Sequence, residues 1–362
     1  MPFIDNMSER LFKHKERAAE LEFIHALSNQ ISYATEMGAI AAAATAGFGD
    51  KRLADQEAVT ALREYLNVVN IRGRIVIGEG ERNIRGRIVI GEGERDEAPM
   101  LYIGEEVGTG NGPEVDIAVD PLENTNAAAV FGPRAISVLA LSERNGLFHA
   151  PDMYMNKLIV GPKAKGCVNI DAPVSYNLFN IAEAMDREVS DLVIVVLERE
   201  RNNKIIEDIR KAGARVRPIM DGDLMPGVMS CFEGAGTHAV MGIGAAPEGV
   251  ITAAGVKALG GEMQARFWPR NEAEIERLIK MGGDPNRVYT HDDLASGKTI
   301  IFAASGVTDG DSLKGVRFFG GGVRIDTLVI SRIQANGNVF VQVTRKDDTL
   351  AYDSARVEHR LY

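Results

Sequence analysis

Residues 115–126 read Val-Asp-Ile-Ala-Val-Asp-Pro-Leu-Glu-Asn-Thr-Asn, an apolar run that ends in two carboxylates and a hydroxyl. Val115, Ile117 and Val119 alternate with Asp116 and Ala118 as in a half-buried strand. Pro121 has no N–H to donate and is expected to end the ladder. The strand therefore presents Asp120 and Glu123 at its own end. Carboxylate oxygens there suit hard cations such as Mg2+ or Mn2+, and Thr125 would open a helix whose free N–H groups favour a phosphate. A solvated turn with an N-cap is the competing reading, and this motif alone does not separate the two.

More carboxylates arrive in the same style. Glu92, Glu94, Asp96 and Glu97 follow the apolar run Ile88-Val89-Ile90 and are interleaved with glycines. Four acids so close repel one another; a cation would offset that repulsion, and a solvated acidic loop is the alternative. Glu248 stands behind Pro247 at the start of the helix-like stretch 250–259, where it complements the helix dipole or serves as a further ligand. Arg199 and Arg201 follow the apolar segment 192–197. Their forked guanidiniums can clamp a phosphate or belong to a solvated Glu-Arg-Glu-Arg-Asn run.

The segments Lys51-Arg-Leu-Ala-Asp55, Gly91 to Glu105, Asp116 to Thr125, Ala150-Pro-Asp-Met-Tyr-Met155, Asp221-Gly-Asp223 and Gly242-Ile-Gly-Ala-Ala-Pro-Glu-Gly249, in this order, resemble class II fructose-1,6-bisphosphatase. The resemblance runs from about Ala26 to Leu328. That family lies in the lithium-sensitive sugar phosphatase superfamily, which implies an α/β fold: an α+β layered sandwich of two subdomains with the metal site between them. It implies hydrolysis of the 1-phosphate of fructose 1,6-bisphosphate, with two or more Mn2+ or Mg2+ ions. A sedoheptulose or inositol-type phosphatase shares the chemistry.

Residue by residue, the resemblance makes Asp55, Glu92, Asp120, Glu123, Glu248 and the Leu122 carbonyl metal ligands. Thr125 would orient water or bind phosphoryl oxygens, Asp96 would act as base or ligand of a third ion, and Lys51 would offset charge. Substrate contacts would come from Glu123, Asn124, Thr125, Tyr154, the run Arg199, Glu200 and Arg201, the turn Asp221, Gly222 and Asp223, and Ala245. A homo-oligomer, dimer or tetramer, is expected.

The chain departs from the family pattern in places. Residues 70–82 recur without change as 83–95, so Asp55 to Asp120 is 13 residues longer than the family's spacing. Glu79 keeps the spacing to Asp55 and Glu92 the spacing to Asp120. The second copy runs directly into Asp96, which makes Glu92 the expected ligand and the Ile-Val-Ile of the first copy a surplus strand open to aggregation. Asn124 stands where the family has glycine; asparagine tolerates the left-handed region better than most residues. Arg52-Leu53 replaces a more polar pair. These departures leave open a second class of function, a folded but catalytically impaired protein.

The elements that must hold these residues follow from periodicity. Residues 8–30 read as a charged helical extension and 33–47 as a separate buried helix. Val59, Leu62, Leu66 and Val69, spaced by three and four, mark an amphipathic helix. Strands are expected near 88–90, 101–103, 115–119 and 135–141, then a hairpin at Asn145-Gly146 leading to Leu147-Phe148. Residues 192–219 read as a βαβ unit, followed by strands at 237–243, 299–304, 323–331 and 339–344, the last two joined at Asn336-Gly337. The domains expected are 1–30, 31–175 and 176–362.

Composition sets limits. A chain of 362 residues, 45% hydrophobic, suits two subdomains with a sizeable core. A net charge of −10 argues against a nucleic-acid surface. No stretch reaches the ~20 apolar residues of a membrane span, and the start lacks a signal peptide's apolar core. Cys167 and Cys231 have no metal-site spacing and are expected to be reduced, so a cytoplasmic enzyme is expected.

Overall fold

The computed structural model describes residues 2–78, 100–335 and 337–351, with the backbone alone for residues 2–20 and Ala351. Helices are α1 (Pro2–Thr45), α2 (Lys51–Leu66), α3 (Thr125–Ala129), α4 (Val174–Ala184), α5 (Asn203–Lys211), α6 (Leu224–Met229), α7 (Ala246–Ala258), α8 (Glu272–Lys280) and α9 (His291–Leu294). Strands are β1 (Arg72–Ile77), β2 (Glu106–Val107), β3 (Glu114–Glu123), β4 (Ile136–Glu143), β5 (Tyr154–Val160), β6 (Val193–Leu197), β7 (Arg215–Ile219), β8 (Ala239–Ala245), β9 (Glu262–Trp268), β10 (Tyr289–Thr290), β11 (Thr299–Gly306), β12 (Arg317–Phe319), β13 (Gly322–Ala335) and β14 (Asn338–Ala351).

Two mixed sheets result. The first runs β12-β13-β11-β4-β3-β1-β2 with β14 on β13, and the second runs β10-β9-β5-β8-β6-β7. The chain crosses between them twice. β5 already lies in the second sheet, and β11 to β14 return to the first, so sheet membership does not follow the 175/176 division of the sequence. One core packs α1 and α2 on the outer face of the first sheet, and another packs the second sheet's outer face under α4 and α5. The largest core fills the space between the sheets around α7. Nearly every residue of α7 is buried, as a helix apolar around its whole circumference must be.

Several expectations change on contact with the fold. The charged extension and the alanine-rich segment are one continuous helix, α1, whose Ile24, Leu27, Ile31 and Ala34 form a buried stripe at steps of three and four. Gly38 lets α1 pass over β4, since a Cβ there would stand 2.7 Å from Ser137 Oγ. Residues 101–103 are not a strand; β2 follows at 106–107. Pro121 does not end β3 but sits in an irregularity between Asp120 and Glu123, beyond which Glu123 pairs with Ile136. A bulge leaves the proline's missing N–H without a ladder partner to lose. Asn145 turns the chain with φ 64°, yet no strand follows it. The βαβ unit forms as β6, α5 and β7, with parallel strands.

The repeat is the main finding at this level. The strand beside β3 is the first copy, Arg72–Ile77, in parallel register with Ile75 opposite Ile117 and Ile77 opposite Ala118. Arg74 holds it there: its Nε and Nη2 each donate to fully buried Asp116 at 3.1 Å, and Asn145 N–H adds a third bond at 2.7 Å. The residues 88–90 expected in that place lie outside the described residues. A Cβ on Gly78 would stand 2.1 Å from the Leu101 carbonyl, so the two ends bounding residues 79–99 touch. The extra length therefore leaves the sheet undisturbed.

Under α1 lies a buried acid. Glu36 is fully buried, neither carboxylate oxygen has a hydrogen-bond partner, and Lys346 Nζ is 3.6 Å away, too far for one. Burial raises its pKa to about 7, against the lowering pull of Lys346. A carboxyl raised in this way stabilises the fold below its unfolded value of 4.5, and that contribution is lost as pH rises through 7. Glu36→Gln should melt higher than the parent at pH 8 and no higher at pH 5, read by thermal unfolding across that range. Parallel melting curves at both pH values would contradict the assignment.

Candidate active site

The site is built where β3, α2, α7 and the turn after β7 converge. Burial raises the pKa of Asp120 well above the carboxylate range, and the negative charges of Glu248, Asp55 and Asp221 raise it further, while the Leu122 N–H, donating at 3.2 Å, lowers it. Glu123 is raised for the same reasons, by burial and then by Asp120, Asp223, Glu248 and Asp221. Glu248, in the first turn of α7, is raised to about 7 by burial, with Lys157 opposing and Asp223 and Asp152 adding to the rise. Its Oε2 is buried with no hydrogen-bond partner. These carboxylates come from positions as far apart as 55 and 248, and Asp120 feels both of those ends.

Backbone conformation brings them together. Asp55 lies one turn into α2, whose N-cap Asp50 accepts from the N–H groups of Arg52 and Leu53. Lys51, the first helical residue, is exposed. Asn124 adopts the left-handed region, φ 68° and ψ 49°, and its side chain donates to the Pro133 carbonyl at 3.3 Å. The residue that replaces the family's glycine thus takes a conformation glycine would take freely. Thr125 begins α3 half-buried. Gly222, at φ 77°, turns the chain between Asp221 and Asp223 in a conformation that favours glycine, with the Glu123 carboxyl in ordinary contact distance of its Cβ position.

Lys157 is the residue that sequence reasoning missed. It is almost completely buried on β5, and its Nζ donates to both oxygens of Asp223 at 3.1 and 2.8 Å. Gly244 leaves room for the pair, since a Cβ there would lie 2.3 Å from Asp223 Oδ2 and 2.9 Å from Nζ. A lysine directly before the apolar run Leu158-Ile-Val160 was the available signal, hidden because β5 itself was not anticipated.

Next to this acidic centre is a basic and aromatic one. Tyr154 opens β5 opposite Ala245 and Trp268. The Arg201 guanidinium lies 4.1 Å from its ring centroid and Arg270 5.3 Å, and Trp268 packs at 6.3 Å. Arg201 also donates to the Ile243 carbonyl at 3.2 Å. Arg199 stands 3.8 Å from the Asp221 carboxylate, which joins the two centres. Glu200 is exposed beside them. Arg270 and Trp268, like β9, were not anticipated. Glu92 and Asp96 lie outside the described residues, and among the described residues no three acidic, His or Cys side chains stand at metal-ligating distance of one point.

Over residues 25–84 and 81–342 the chain matches the family described as bacterial fructose-1,6-bisphosphatase, glpX-encoded, in two segments that meet inside the repeat. The chain belongs to the class II fructose-1,6-bisphosphatase family. Family members are phosphatases of carbohydrate metabolism. The chain is 50% identical to a D-fructose 1,6-bisphosphatase class 2/sedoheptulose 1,7-bisphosphatase of Synechococcus sp. strain JA-2-3B'a(2-13), over 84% of this chain and 91% of the relative. Proteins of the same description from Thermosynechococcus vestitus and Trichormus variabilis are 48% and 47% identical, over 83% and 84% of this chain and 91% and 92% of the relatives. No helix among the described residues is long and apolar enough to cross a membrane.

The Lys157–Asp223 pair is open to direct test. Lys157→Met leaves a buried carboxylate without its cation and should cost about 3–5 kcal/mol of folding stability, measured by urea unfolding. Lys157→Met combined with Asp223→Leu should recover much of the loss, and a double variant no more stable than Lys157→Met would contradict the pairing.

Proposed function

We propose that this class II fructose-1,6-bisphosphatase hydrolyses the 1-phosphate of fructose 1,6-bisphosphate to fructose 6-phosphate and phosphate, and that sedoheptulose 1,7-bisphosphate is a second substrate, as in the names its relatives carry. The observation that carries the reading is the set of buried carboxylates Asp120, Glu123 and Glu248, mutually repelling and with one oxygen orphaned, beside the Arg201–Tyr154 cluster. Oxygen donors without sulfur fit Mn2+ or Mg2+. Asp55, Asp120, Glu123, Glu248, the Leu122 carbonyl and one glutamate of the repeat would hold two or more such ions. Bound there, they polarise the phosphoryl group and lower the pKa of water.

The chain's own residues do the rest. Thr125 orients the attacking water or a phosphoryl oxygen at the start of α3, held in place by the left-handed turn at Asn124. Asp96 accepts the proton, and Lys51 offsets charge at the rim. Arg199 and Arg201 take the distal phosphate with their forked guanidiniums, Tyr154 packs beside it, and Glu200 and Ala245 border the same site. Asp221 and Asp223, fixed by Gly222 and Lys157, accept from sugar hydroxyls.

Two observations speak against an impaired member of the family: Asn124 adopts the conformation its position requires, and the sheet is intact despite the repeat. The seating of the first copy also moves the expected ligand. Ile77 faces Ala118, two residues before Asp120, and Glu79 follows Ile77 by two residues whereas Glu92 follows it by fifteen. We therefore assign the metal position to Glu79 in place of Glu92. A homo-oligomer is supported by β14, a 14-residue edge strand with Val339, Val341 and Val343 exposed. The two free cysteines agree with a cytoplasmic setting.

Phosphate release from a panel of sugar phosphates, with and without Mn2+, tests the activity. Turnover should be confined to ketose bisphosphates and vanish on exhaustive chelation; activity surviving EDTA would exclude the metal-dependent scheme. In the same assay Glu79→Ala should lose activity by orders of magnitude and Glu92→Ala should stay near the parent. The reverse pattern would return the ligand to the second copy.

A further inference from the structure

Between the two sheets a cleft is lined by Glu123 and Gly222 of the active site and by Arg134, Arg217, Thr308 and Asp311, none of which the hydrolysis uses. Arg134 approaches β4 in the first sheet, Arg217 stands on β7 in the second, and Asp311 lies in the loop after β11. Both guanidiniums address one carboxylate oxygen, Asp311 Oδ2: Arg217 hydrogen-bonds it, and Arg134 stands 3.9 Å away. The carboxylate thus answers two cations with one charge and is 55% exposed. Arg134 is also one of the few non-glycine residues with positive φ, 72°. That conformation is strained for a side-chain-bearing residue, and is held by its N–H donating to Asp309 O at 2.9 Å.

We propose that this cleft is a second anion site, in which a tetrahedral oxyanion, phosphate free or as a monoester, bridges Arg134 and Arg217 and displaces Asp311. With Asp311 displaced, the two guanidiniums are free to answer the anion, their planar forks matching phosphate oxygens, while the Glu123 carboxylate that also lines the cleft balances part of their charge. The cleft leaves about 30 Å3 for the centres of water molecules, room for two or three waters and so for one small anion. Its occupant ties the two sheets together. Asn124 donates to the Pro133 carbonyl, next to Arg134, so occupancy reaches the turn that carries Thr125. The product of the reaction would then act back on its own catalyst from outside the reacting centre.

Calorimetric titration of inorganic phosphate into the full-length, Mg2+-loaded protein tests the site without reference to turnover. A binding phase should disappear in Arg134→Gln and in Arg217→Gln, two variants on different elements, both checked for native melting. The same phase should tighten roughly tenfold or more in Asp311→Asn, where a competing charge-assisted bond is gone. Competition by glycerol 3-phosphate would give the site to monoesters and its absence to free phosphate, and either supports the proposal. Identical isotherms in parent and all three variants would overturn it. So would a rise in KM for the bisphosphate that tracks the lost phase, because the cleft would then be part of the substrate site.

Discussion

Carboxylates gathered in a dry place repel one another and resent the loss of water, and the rest of this structure answers that fact. Asp120, Glu123 and Glu248 are all pushed upward in pKa, first by burial and then by neighbouring carboxylates: Glu248 and Asp55 for Asp120, Asp120 and Asp223 for Glu123, Asp223 and Asp152 for Glu248. Breaking or leaving unpaired a buried charge costs several kcal/mol, so a fold keeps such a group only if something later compensates it. Lys157 is committed to Asp223, and Arg199 faces Asp221. The remaining negative charge is what a divalent ion, and a phosphate behind it, would neutralise.

Holding repelling groups in register demands a rigid frame. The frame here is two sheets clasping α7, a helix buried on every side, with Glu248 at its N-terminal turn. The irregularity at Pro121 lies between Asp120 and Glu123, which pair with Val138 and Ile136 on either side of it. Gly244 provides a close approach at which a Cβ would collide with the Asp223 carboxyl, and Gly222 supplies the left-handed turn between Asp221 and Asp223. Tyr154 is packed against Arg201 and Arg270, so this basic and aromatic surface is preformed. The sheet keeps its register despite the repeat: Gly78 and Leu101, on either side of residues 79–100, stand close together, and lengthening a chain connection costs little entropy, about 0.6 kcal/mol per doubling.

Much of this was legible in the sequence where chemistry and period coincide. The apolar run into Asp120 and Glu123, the βαβ unit at 192–219 and the amphipathic α2 are local patterns, and they form as read. What the sequence hid is non-local. Strand β5 mixes Asn156 and Lys157 into an apolar run and was not read as a strand; β9, Glu262-Met-Gln-Ala-Arg-Phe-Trp268 after Gly260-Gly261, alternates cleanly and was overlooked, so Lys157, Arg270 and Trp268 went unnoticed. Pro121 read as a stop because a ladder bond was assumed that the bulge does not need. The two copies of the repeat are identical, so continuity with Asp96 was the argument available for the second copy; which copy pairs with β3 is a non-local matter, and there Arg74 of the first copy engages Asp116.

The central claim is that the buried carboxylates are cation ligands. Differential scanning calorimetry of the metal-free protein titrated with Mn2+ tests it most directly, with Asp120→Asn as comparison. The account predicts a concentration-dependent rise in Tm for the parent, equivalent to about 2.7 kcal/mol at a hundredfold excess over Kd. It predicts a higher metal-free Tm for Asp120→Asn, because one repelling charge is gone, and loss of most of its response to Mn2+. A parent protein whose Tm ignores Mn2+, or an Asp120→Asn variant that responds as strongly as the parent, would contradict it.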